Sequence, residues 1–333
     1  MRKGFTLMFC FFCLALFAQR EEIVNESRFY QVINPSYFAM NHINRVGVLF
    51  NTSTINQNDK LDNQYVFGSV AFREQSFSLG FDFNTYKVQN ADLGSSLARL
   101  SFVYIVQVNS STYFLPGVSL GYRNTSVSLN GLIFEDQINQ TTGFISPETI
   151  DPLGERIGNQ SYPDLGASFL IHSEKFFAGL TLSHLNQPNT SFDKEIIQKL
   201  PVSISIQGGV ELDINPYQRS FLPENSFLFL YHNIRLIQKN TFLTFSQELQ
   251  LSNFSLGLNQ KASLVNQFNL NSVGLSIGLS IENFDFGLQY NFPLRQLNQV
   301  YSPSVFELHL TFDFSPFRRN NRGLFKRLQT DNY

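Results

Sequence analysis

The chain has only two cysteines, no tryptophan and little charge: 15% of its 333 residues are Asp, Glu, Lys or Arg, against about 25% in an ordinary soluble domain. Both cysteines, Cys10 and Cys13, lie in the mostly apolar run Phe5 to Ala18, which follows Arg2 and Lys3 and ends in Phe17-Ala18-Gln19. This arrangement reads as a secretory signal peptide over residues 1–19, cleaved near Ala18. Phe11-Phe12 before Cys13 is not the small-residue setting of a lipoprotein acylation site. The mature chain is then expected to carry no cysteine, which excludes disulfide frameworks, thiolate zinc sites and cysteine nucleophiles. No later stretch stays apolar for the ~20 residues that a membrane helix needs. An excess of basic charge is also missing: without Arg2 and Lys3 there are 22 basic residues against 26 acidic ones, a net charge of −4. That balance gives no general attraction to nucleic acid.

Motifs of catalysis are missing as well. The five histidines, His42, His172, His184, His232 and His309, show no ligand spacing, and the sequence has no Gly-x-Ser-x-Gly, phosphate-binding Gly-Lys loop or dinucleotide fingerprint. Ser183 and His184 are neighbours, and neighbours on a strand point to opposite faces. The chain is read as non-catalytic, with no cofactor and no metal.

What is present is phenylalanine, 36 of them, with 13 tyrosines and 20 glycines, in a pattern of period two. Val273, Leu275, Ile277, Leu279 and Ile281 alternate with Ser272, Gly274, Ser276, Gly278 and Ser280. Phe77, Leu79, Phe81 and Phe83 oppose Ser78, Gly80, Asp82 and Asn84, and Phe306, Leu308, Leu310, Phe312 and Phe314 oppose Glu307, His309, Thr311 and Asp313. In a pleated strand the two sets leave opposite faces.

Fourteen such segments can be marked: 44–54, 64–73, 76–87, 96–108, 112–132, 164–172, 175–185, 201–212, 226–237, 241–251, 254–262, 271–281, 283–292 and 303–314. Most approach the ~9–11 residues that cross a membrane at a tilt. Every second connection is short and the others are mostly longer, as in a barrel with periplasmic turns and outer loops. Two connections break that rule, a long one at 213–225 and a short one from Gln238 to Asn240. A secreted β-sandwich also alternates, but its open face usually carries Lys, Glu, Arg and Thr. Here the polar face is mostly Ser, Gly, Asn and Gln, which suits a crowded or water-filled lumen. The fold class expected is all-β: a transmembrane antiparallel outer-membrane β-barrel of about fourteen strands over 44–314, with an N-terminal periplasmic segment at 20–43 and a basic periplasmic tail at 315–333.

Three stretches carry a family resemblance. Gln31-Val32-Ile33-Asn34-Pro35-Ser36-Tyr37 resembles the "NPAY" opening of the PorP/SprF family, departing from it at Ser36 and at Phe38-Ala39. Tyr162-Pro163-Asp164-Leu165-Gly166-Ala167-Ser168-Phe169, followed by Lys175 to Pro188 with Gly179 and His184, is similar to that family's most recognisable hairpin. Pro303 to Phe314 resembles its final strand, and Leu200-Pro201 with Gly208-Gly209 also falls in place. These residues have structural readings too. Asn34 and Pro35 suit a turn entering the first strand, Asp164 after Pro163 a local backbone bond where the largest loop re-enters the barrel, and Gly166 and Gly179 room for bulky neighbours.

The resemblance implies an outer-membrane protein of type IX secretion and gliding motility. Its partners would be outer-membrane lipid, a secreted cargo such as a large surface adhesin held by its C-terminal domain, and periplasmic components of the machinery. Candidate cargo contacts are Glu148, Asp151 and Glu155 in the acidic loop 133–163, and candidate periplasmic contacts are Arg318, Arg319, Arg322, Lys326 and Arg327 in the tail. A solvated loop and a free end are the plain alternatives for these charges. The competing function is a passive porin or a transporter of small apolar solutes.

Overall fold

Rows of large apolar residues alternating with small polar ones favour strands with two unlike faces. The computed structural model describes residues 23–42, 44–54, 60–88, 93–127, 138, 146, 158–192, 196–216, 221–223, 226–265, 267–294 and 304–315. Its strands are β1 (Arg45–Thr54), β2 (Lys60–Phe72), β3 (Phe77–Val88), β4 (Leu93–Tyr104), β5 (Val106–Asn109), β6 (Thr112–Val127), β7 (Asn159–His172), β8 (Phe176–Ser183), β9 (Ser203–Asp213), β10 (Ser226–Ile237), β11 (Asn240–Leu251), β12 (Phe254–Leu264), β13 (Phe268–Ile281), β14 (Phe284–Pro293) and β15 (Ser304–Asp313). Each pairs antiparallel with its neighbour in sequence, except that β4 and β5 both pair with β6, and β1 pairs with both β2 and β15. The sheet is therefore closed, which excludes the sandwich.

β4 and β5 are two parts of one crossing. They part at Ile105, whose N–H donates to the Ser76 carbonyl at 2.8 Å, and both pair with β6. Counted so, the barrel has the fourteen strands expected from the alternation. Segment 112–132 is one strand as far as Val127, and β7 starts at Asn159, earlier than the expected 164.

The two faces separate cleanly. On β15, Phe306 and Leu308 are exposed on the outside while Glu307 and His309 are buried inside; on β3, Leu79, Phe81 and Phe83 face out while Ser78 and Asp82 are buried. An apolar band of this kind around a closed barrel faces lipid. β1 begins and β15 ends at the same rim as the short turns after β2, β7, β11 and β13. That rim is the periplasmic one by the turn-and-loop rule. The two irregular connections are real: β9 and β10 are separated by residues 214–225, and β10 and β11 by Gln238 and Lys239 alone.

One expectation needs correction. Of the segment 20–43, expected in the periplasm, the described residues 23–42 fold into the lumen. They contain a short helix α1 (Tyr30–Ile33) and a kinked 3-10 helix (Pro35–His42). Their side chains and backbone meet strands around the whole circumference, including β4, β7, β9, β11, β12, β14 and β15. Only a segment inside the barrel can do that. The physical cause lies in both partners: Phe29, Tyr30, Tyr37 and Phe38 need burial, and the small inward residues of the wall leave the space.

Candidate functional site

The lumen plug is held by two aromatic clusters. Phe29 meets Tyr65, Phe67 and His309 edge to face, with ring centres 6.2, 5.9 and 5.1 Å away. Phe38 lies over Gly80, in the volume that a side chain there would fill. On the opposite wall Tyr30 stacks on Tyr37 at 4.7 Å, and both rings meet Phe177. Burial, followed by neighbouring Tyr231 and Tyr30, holds the Tyr37 phenol well above its ordinary pKa, so it stays neutral.

Charge fixes the orientation of the plug. Arg28 pairs with Glu248 and Ser255, and with Asp285 at 3.0 Å. Glu26 accepts from Asn233 at 2.8 Å and Thr244 at 3.2 Å, with Arg235 and Lys261 each 3.5 Å away. Glu307, fully buried, accepts from the backbone N–H groups of Val24 and Asn25 and from Asn51. Arg99 bonds Asp82 at 2.9 Å and the Gln31 carbonyl at 2.8 Å. A buried ion is costly unless paired or hydrogen-bonded: Arg28, Glu26 and Arg99 each meet an opposite charge, and Glu307 is held by amide donors alone.

Motif residues far apart in sequence meet here. Asn34 accepts from the Ser36 N–H at 3.0 Å, closing the turn before the 3-10 helix, and donates to the Phe169 carbonyl at 3.1 Å and to Gln207 at 3.0 Å. Gly179 makes this possible, because a Cβ there would stand 2.6 Å from Asn34 Nδ2. Ser36 bonds Ser168 of the hairpin at 2.8 Å. The opening motif is thus docked on the inner face of the hairpin motif.

At the outer end of that hairpin, Asp164 does not bond local backbone as expected. It lies within β7 and pairs with His184 Nδ1 at 2.9 Å. β8 stops at Ser183, and His184 turns with φ 61°, swinging its ring inward. The turn then replaces the missing strand: Leu185 donates to the Leu165 carbonyl, and Asn186 both accepts from Leu165 N–H and donates to the Pro163 carbonyl. Pro163 fits because its absent N–H points to this side, where no strand needs it. Tyr162 is buried on the inner face and Gly166 packs against Ser119.

A recess of about 100 Å³ remains on the outer side of the plug, floored by Ile23, Val32 and Ile33 and walled by Arg99, Arg123, Asp164, His184 and Arg235 among others. It admits a few water molecules, not a folded chain. Among the described residues no group of three His, Cys, Asp or Glu could hold a metal. His42 and His172 pack on Tyr113, and His232 stands on the outer face. Glu148, Asp151 and Glu155, and all of Arg318, Arg319, Arg322, Lys326 and Arg327, lie outside the described residues.

The sequence reading missed Glu26, Arg28, Asp82, Arg99, Glu248 and Asp285. For Asp82, Arg99, Glu248 and Asp285 the signal was a lone charge on an inward strand row, whereas Glu26 and Arg28 lie in the plug, where no such row marks them.

The family comparison covers residues 24–312 and matches the family described as "Type IX secretion system membrane protein PorP/SprF". No curated protein matches the sequence. Solved structures similar to it are outer-membrane barrels. The CymD monoaromatic hydrocarbon channel is 12% identical, with a TM-score of 0.49 over 85% of this chain and 92% of its own. The outer membrane protein Omp33 of Acinetobacter baumannii is 9% identical, with a TM-score of 0.46 over 82% of this chain and 98% of its own. The toluene transporter TbuX of Ralstonia pickettii is 8% identical, with a TM-score of 0.46 over 85% and 92%. With motifs, closed barrel and the match over residues 24–312 in agreement, the chain belongs to the PorP/SprF family of type IX secretion system membrane proteins and is a barrel of the outer membrane.

Proposed function

We propose that this barrel is a non-enzymatic anchor that binds a secreted cargo at its outer loops and links it to periplasmic components of the secretion and gliding machinery. The observation that carries this reading is the filled lumen. A plug joined to the wall by four charged side chains and two aromatic clusters is poorly suited to passive flow, whereas a closed, filled barrel presents rigid loops on one side and turns on the other. The recess above the plug holds only a few waters, so cargo contact falls to the loops.

The cargo would be a large surface adhesin engaged through its C-terminal domain, as family membership suggests. Glu148, Asp151 and Glu155 would attract a basic cargo surface, and Arg318, Arg319, Arg322, Lys326 and Arg327 an acidic periplasmic partner. The leader expected over residues 1–19 would put the chain on the export route this requires.

Deletion of the protein tests the reading. Surface display of one specific large cargo should be lost while general outer-membrane permeability stays nearly unchanged. Normal location of every secreted protein, with loss of uptake of a small solute, would establish the transporter alternative instead. Exchanging Glu148, Asp151 and Glu155 for Gln or Asn should slow cargo capture most at low salt, since exposed charges are screened over ~8 Å at physiological ionic strength.

A further inference from the structure

The lipid-facing surface is apolar at mid-depth on most strands, where Phe83, Leu100, Val118, Leu275 and Leu308 stand exposed. β10, β11 and β12 depart from this with His232, Gln247 and Gln260, all on outward positions. His232 and Gln260 stand six residues from the periplasmic ends of β10 and β12, and Gln247 four from that of β11. A tilted strand climbs about 2.5 Å per residue, which puts the three about 10–15 Å into an apolar band about 25 Å tall. None has a hydrogen-bond partner among the described residues.

Their arrangement is one patch. Across the sheet the register runs Ala178, Gly208, His232, Phe245, Gln260, each directly opposite the next. Gln247 lies two residues from Phe245 on the same face, diagonal to both His232 and Gln260. The His232 ring lies over Gly208, in the volume a side chain there would fill, and Phe245 on its other side is a ridge, 41% exposed. Polar side chains held in hydrocarbon without partners are costly and mark a contact within the membrane.

We infer that this face of β8–β12 is the contact surface for a second copy of the same chain in the membrane. Two features favour a copy over another partner. The patch carries no formal charge, so it asks for no oppositely charged surface. Its amide and imidazole groups each contain both donor and acceptor and satisfy their own kind.

No cysteine follows Cys13 in the sequence, which makes the test direct. Two differently tagged copies carrying Phe245→Cys are produced together and oxidised with copper phenanthroline in intact outer membranes. A disulfide-linked species of twice the monomer mass, carrying both tags, is expected in at least tenfold excess over that from Leu100→Cys, which faces lipid on β4 across the barrel. Replacing His232, Gln247 and Gln260 together by Leu should abolish the cross-link while the barrel keeps its heat-resistant mobility on gels, since the change removes polar groups from lipid. Equal cross-linking at the two positions, a product containing a different protein, or a cross-link undiminished in a folded triple variant would each overturn the inference.

Discussion

Gly179 on β8 and Asn34 in the plug share one volume: the missing side chain of the first is the seat of the second, whose amide there bridges the Phe169 carbonyl and Gln207. Gly179→Val should therefore overfill the seat and destabilise the barrel by about 1–3 kcal/mol. Asn34→Ala should cost about 1–3 kcal/mol by stranding buried acceptors. The double variant should cost less than the sum of the two, because the first change already ejects what the second removes. Unfolding midpoints in urea, measured in detergent, check all three.

Arg28 neutralises Glu248 and, with its second nitrogen, the more exposed Asp285. Arg28→Met should destabilise by about 3–5 kcal/mol, the range for removing one partner of a buried pair. Adding Glu248→Met should restore much of that loss, since the stranded charge goes too. Failure of the second change to rescue would mean that Arg28 acts through packing alone.

Neighbours on β15 should respond in opposite ways. Leu308, exposed outward at mid-strand, should lose about 2–4 kcal/mol when replaced by Arg and little when replaced by Ile. Glu307, buried inward, should lose about 1–3 kcal/mol on replacement by Leu, which leaves Val24, Asn25 and Asn51 donors unpaired. Equal tolerance at the two positions, read from heat-modified mobility, would contradict the assignment of faces.

The wall of this barrel was legible in the sequence because lipid and lumen impose opposite demands on successive residues, as Phe306, Glu307, Leu308 and His309 illustrate. The plug was not, for a reason of geometry. Residues 23–42 have no period of two, and their partners are single residues on separate strands, such as Glu307, Gln207 and Arg99, whose convergence exists only after closure. Asp164 was misread for the same reason: its partner His184 becomes its neighbour only through the turn that follows β8. Asn34, by contrast, announced its local turn, since an Asn before Pro bonds backbone two residues on.

Conductance across a planar bilayer tests the filled lumen most directly. Purified full-length barrel should give no steady, solute-sized conductance, and removal of residues 23–42 should open one in a barrel that still shows heat-modified mobility. Steady conductance from the full-length protein, equal to that of the deletion, would contradict the account.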